Sequence, residues 1–125
     1  MKQEYTVRQI QRLLEYYDKV SFAILFDKND ITGTQTDIHR GIGLAGDNTI
    51  SDEVIEDVKK RIKKQTSVDI KPADLRNMDP SMLKGVMTHG IVVKDTSDTI
   101  RGTLIQRIAY SNDNILNNYR KVTET

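Results

Sequence analysis

The chain has 125 residues, enough for one domain and too few for two comfortable ones, and 1–125 reads as a single helical domain. Nineteen basic residues against 18 acidic leave a formal charge of +1, which excludes a global field that would gather nucleic acid or acidic lipid. The absence of cysteine excludes a disulfide scaffold and thiolate metal sites.

Val, Ile, Leu and Phe make up 33 of the residues, above the roughly one in five below which a chain cannot bury enough apolar surface to offset its ordering entropy. The chain is therefore expected to fold. Its longest apolar run, "VSFAILF" at 20–26, falls well short of the ~20 residues that span a bilayer, and no secretory pattern opens the sequence. The expectation is a soluble cytoplasmic protein with no membrane contact.

Thr6 followed three residues later by Gln9 forms a capping box and predicts a helix from about Val7. Val7, Ile10, Leu13, Leu14, Tyr17, Val20, Ile24 and Leu25 keep helical spacing, predicting one helix to about Asp27. Val20, Phe22, Ile24 and Phe26 also alternate, which keeps a competing strand open. Periodicity then fails up to Ile50, where Gly33, Gly41, Gly43 and Gly46 punctuate polar residues; a short helix is placed at about 35–42.

Ser51 can cap the next helix, whose buried stripe is Val54, Ile55, Val58 and Ile62. Acidic residues fill its first half and basic residues its second, in the sense that complements the helix dipole. Pro72 and Pro80 sit where first helical turns tolerate proline, predicting short helices near 72–78 and 80–88, the second capped by Asp79 and ended by Gly90. "IVVK" at 91–94 reads as a short extended segment or a continuation. From Ile100, a long terminal helix follows through Leu104, Ile108, Ile115 and Tyr119, which "SNDN" at 111–114 can split. The fold class expected is mainly α: a compact bundle of about five helices, long at both ends, with minor β content near 20–26 and 91–94.

"IHRGIGLA" followed by "TIS" resembles the helix-turn-helix of many bacterial repressors and activators, with Gly43 at the turn. That resemblance implies duplex DNA binding through residues 35–64 as a dimer, with Asn48, Thr49 and Ser51 near bases and Lys59, Lys60, Arg61, Lys63 and Lys64 on phosphates. Against it, the second helix opens with Asp52, Glu53 and Glu56, where groove recognition needs Arg, Lys, Asn or Gln.

Gly41, Gly43 and Gly46 match G-x-G-x-x-G, yet no strand is predicted just before them and no helix directly after, so they read as turn glycines. The two histidines, His39 and His89, would need Asp37 or Asp47 to complete a metal shell, and nothing in the sequence brings them together. No nucleophile and base pair stands out. The expectation is thus no enzyme, no cofactor and no metal.

Tyr16, Tyr17, Phe22, Phe26, Tyr110 and Tyr119 hold most of the aromatic area on the first and last helices and are the residues expected at a protein interface. The function expected is a small binding protein, an adaptor, assembly factor or inhibitor of the kind carried by mobile genetic elements. Its partner is another protein or a second copy; the dimeric DNA-binding regulator is the alternative.

Overall fold

One strand, β1 (Phe22–Asp27), organises the molecule. The computed structural model describes residues 2–33 and 40–110, with side chains from Thr6 onward. Around β1 come, in chain order, α1 (Lys2–Leu14), α2 (Lys28–Thr32), β2 (Arg40–Ala45), α3 (Asp52–Thr66), β3 (Lys71–Asp74), a 3-10 turn (Leu75–Asn77), α4 (Pro80–His89), β4 (Ile91–Asp95) and α5 (98–110). The four strands form a sheet in the order β3-β2-β1-β4. β1 runs antiparallel to both neighbours, while β2 and β3 are parallel and joined through α3, the helical crossover that parallel strands require.

This α/β architecture replaces the expected helical bundle. In β1, Phe22, Ile24 and Phe26 belong to a core with Leu83 and Val86 of α4 and Ile100 and Leu104 of α5. Ala23 and Leu25 belong to another, with Ile10, Leu13 and Leu14 of α1 and Val58 and Ile62 of α3. A strand covered on both faces is apolar at every position, and such a run satisfies helical spacing as readily as strand spacing. Burial decides between them. Fully burying each large side chain contributes roughly 1.5–3 kcal/mol, and the sheet shares the run between two cores.

The helix predicted over 7–27 accordingly ends at Leu14. It also begins at Lys2, so Thr6 lies inside α1 and does not cap it. Where it ends, Lys94 of β4 reaches over: its Nζ donates to the carbonyls of Leu14 and Tyr17, each at 2.9 Å. Burial lowers the Lys94 pKa, opposed by the nearby Asp18 and Glu15 charges.

Two further helices are corrected. Of the helix placed at 35–42, residues 34–39 lie outside the described part, and Arg40, Gly41 and Ile42 are strand. Pro72 opens no helix but sits in β3, at the sheet edge, where a residue without an N–H interrupts no ladder. Other signals act as the sequence indicates: Ser51 Oγ accepts from Val54 N at 3.3 Å to start α3, and Asp79 accepts from Ser81 N at 3.2 Å ahead of Pro80. No helix among the described residues is long and apolar enough to cross a membrane.

Candidate functional site

β1 ends where β2, β3 and β4 begin, so their loops and helix ends gather at one edge of the sheet. A cavity of about 800 Å³ opens there. Phe26 and Gly41 belong to its floor, α1 contributes Thr6 and Val7, and the segment leaving α3 contributes Val68 and Ile70. Its ionisable groups are Asp27, Asp30, Arg40 and His89.

Local structure fixes each of these. Asp27 is the last residue of β1 and the cap of α2, with Oδ1 accepting from Asn29 N at 2.9 Å. Asp30 lies three residues after Asp27, inside that short helix. Arg40 opens β2 and stands opposite Asp27 in the antiparallel register. His89 is the last residue of α4, exposed, one position before Gly90 turns the chain into β4.

The expected DNA-binding residues lie elsewhere. Asn48 and Thr49 are exposed in the connection from β2 to α3, beside a smaller cavity of about 260 Å³ that also contains Asp18, Lys19 and Asp47. Ser51 is occupied in capping α3. Lys59, Lys60, Arg61, Lys63 and Lys64 are exposed along α3, where Lys63 pairs with Asp69 at 3.2 Å and Arg61 with Asp57 at 3.3 Å. Arg61 also lies 5.6 Å from the centre of the Tyr17 ring, and the Tyr17 hydroxyl donates to Asp57 Oδ2 at 2.5 Å. Burial first, and the Asp57 hydrogen bond second, push the Tyr17 pKa up to about 12.

Of the aromatic residues expected at an interface, Phe22 and Phe26 are buried beneath the sheet's second face, and Tyr17 is half-buried. Tyr16 and Tyr110 are 78% and 69% exposed. Tyr119 lies outside the described residues.

Gly41 and Gly43 are strand residues, which corrects their reading as turn glycines. A Cβ on Gly41 would collide with the Phe26 ring, and one on Gly43 with the Leu75 side chain. The signal was present in "GIGLA": small residues alternate with Ile42 and Leu44, the pattern of a strand that admits side chains from its neighbours on one face. Nothing comparable marked Asp27, Asp30, Arg40 and His89, because their proximity comes from strand ends far apart in the chain.

A four-stranded mixed sheet, helices on both faces and a cavity at the end of β1 define an α/β fold. Solved structures share this fold over nearly the whole chain. A structure of a tri-AMPylated Shewanella oneidensis HEPN toxin in complex with MNT antitoxin aligns with a TM-score of 0.69 at 15% identity, covering 99% of this chain and 98% of that one. A toxin–antitoxin structure with AMP-PNP aligns at 0.65 and 13% identity, covering 97% and 96%. A variant of the MntA–HepT toxin–antitoxin complex, with two aspartates two residues apart changed to glutamate, aligns at 0.68 and 16% identity, covering 94% and 96%. No protein-family model and no curated protein matches the sequence.

At such identities the likeness establishes the fold. It overturns the helix-turn-helix regulator, because Arg40–Ala45 of the matching stretch is the sheet's own β2. The plain adaptor and the reading as a non-enzyme also give way, since the solved structures reported above are of toxin–antitoxin complexes, one with AMP-PNP and one with an AMPylated toxin.

Transfer of a nucleotidyl group generally draws on a divalent ion that neutralises phosphate charge. Among the described residues, no group of three His, Cys, Asp or Glu side chains could hold a metal.

Proposed function

We propose that this chain, acting as one domain, is a nucleotidyltransferase-type antitoxin. It holds a nucleoside triphosphate in the cavity at the end of β1 and acts there on a partner protein. The observation that supports this most is the cavity itself: about 800 Å³ is ample for a nucleotide. It opens at the sheet edge in a fold shared end to end with toxin–antitoxin components.

In this reading the reaction is attack by a hydroxyl oxygen of the partner on the α-phosphorus, with pyrophosphate leaving. Arg40 meets phosphate charge as a permanently cationic, forked donor. Asp27 and Asp30 are the carboxylates near enough to the opening to accept the hydroxyl proton. Tyr16 and Tyr110, the exposed aromatic residues, are the contacts proposed for the partner.

The test is incubation of the purified chain with a HEPN-type toxin and ATP labelled at the α-phosphate. Label on the toxin, together with a mass increase of whole AMP units, supports the reading. Absence of label, combined with no detectable binding of ATP, sinks it.

A further inference from the structure

We propose that His89 is a second phosphate-binding residue of the cavity, paired with Arg40 across the end of β1, and that its protonation tightens the hold on nucleotide phosphate. This rests on the nucleotide reading above and concerns which groups of the chain meet the phosphates.

The sheet register brings the pair together. Asp27, the last residue of β1, stands opposite Arg40 on the β2 side. On the β4 side Leu25 stands opposite Ile91, so two residues further along β1 the position level with Asp27 is that of His89. Gly90, between His89 and Ile91, has an extended backbone at φ −80° and ψ 170°, which carries the strand direction back to His89. Neighbouring strands lie about 4.8 Å apart, which puts the Arg40 and His89 backbones roughly 10 Å apart with Asp27 between them. Both side chains line the cavity. A forked guanidinium from one side and an imidazole from the other can close on a single phosphate chain.

Charge makes the position matter. Among the described residues lining the cavity, the ionisable groups are Asp27 of β1, Asp30 of α2, Arg40 of β2 and His89 of α4, while α1, α3 and the segment after α3 contribute no charge. With a neutral imidazole, two carboxylates against one guanidinium leave a net −1, which opposes an anion. Protonation cancels that charge and gives the ring a second N–H donor, so an incoming phosphate gains a charge-assisted hydrogen bond as the opposition disappears. Histidine is the side chain that changes charge between about pH 5 and 8. Phosphate favours the charged ring, so by linkage nucleotide affinity rises as pH falls through that window. His89 is exposed and belongs to neither core, so replacing it leaves the packing of the fold in place.

The experiment measures affinity for a fluorescent ATP analogue at about pH 5.5 and about pH 8, at fixed ionic strength and fixed Mg2+, for the wild type, His89→Gln and His39→Gln. His39 is the chain's other histidine. The wild type and His39→Gln should bind about fivefold or more tightly at the lower pH, and His89→Gln should hold within about twofold across the range. A pH dependence undiminished in His89→Gln, or lost in His39→Gln, overturns the inference. In a second arm, the two imidazole signals of the wild type are followed by proton NMR with and without inorganic pyrophosphate, the His39→Gln spectrum assigning them. A His89 titration midpoint raised by about half a pH unit or more supports the inference, and an unmoved midpoint overturns it. If the analogue fails to bind at either pH while pyrophosphate still moves His89, the nucleotide reading falls and the phosphate site stands. If neither ligand acts, both fall.

Discussion

Phe26 of β1 and Gly41 of β2 stand opposite each other in the antiparallel register, and the Phe26 ring fills the space into which a side chain at position 41 would project. Two residues on, Leu75 does the same above Gly43. The two contacts differ in their freedom to yield. Phe26 borders the cavity, whereas Leu75 is sealed in the core. Gly43→Ala should therefore destabilise the fold by about 2–3 kcal/mol, in the upper range for overpacking, and Gly41→Ala by about 1 kcal/mol. Urea unfolding midpoints of the two variants check the order; equal losses would contradict it.

Asp74 ties the start of α3 to the end of β3. It is 7% exposed, and its Oδ2 accepts from Ile50 N at 3.0 Å while Oδ1 accepts from Arg76 N at 3.0 Å. Removing a charged acceptor leaves a buried backbone donor without its partner, which costs more than the bond itself contributed. Asp74→Ala is expected to lower stability by about 2 kcal/mol. Amide exchange at Ile50 should accelerate in the same variant, a local readout that a general loosening would not single out.

Tyr17 predicts a pH dependence. Its pKa is pushed from 10.0 to about 12, chiefly by burial and then by the hydrogen bond to Asp57. A group whose folded pKa lies above its unfolded value favours the protonated folded state, so its contribution is fully present below pH 10 and is lost as pH rises toward about 12. Lysines titrate in the same window, so the comparison is with Tyr17→Phe. Between pH 10 and about 12 the wild type should lose more stability than the variant, as measured by chemical denaturation at each pH.

Arg40 predicts a binding effect separable from folding. It is exposed at the start of β2 and borders the cavity. A charge-assisted hydrogen bond contributes roughly 1.5–3 kcal/mol, so Arg40→Ala should weaken ATP-analogue binding about tenfold or more. The unfolding midpoint should stay within experimental error, since surface substitutions away from caps and networks typically shift stability by about 0.5 kcal/mol or less.

The sequence made some elements plain because their signals are local. Ser51 before a helical stripe, Asp79 before Pro80, and Gly90 after His89 act through neighbours a few residues away, and α3 and α4 follow. The 20–26 run carried two periods at once, and nothing within it could choose between them. Likewise "GIGLA" carried a helix-turn-helix match and a strand alternation together.

Of the candidate site, the sequence showed Gly41 and Gly43 but not what covers them, and it gave no reason to join Asp27 and Asp30 to Arg40 and His89. Composition alone determined that this chain could bury a core, carry no net field and form no disulfides. Which segments became strands, which glycines were pressed against Phe26 and Leu75, and which charged residues meet at the end of β1 were decided only by tertiary structure. The physical reason is that strand pairing and two-sided burial are non-local. Their energy is gained only when Phe22–Asp27 lies between Arg40–Ala45 and Ile91–Asp95, and no window of sequence contains all three.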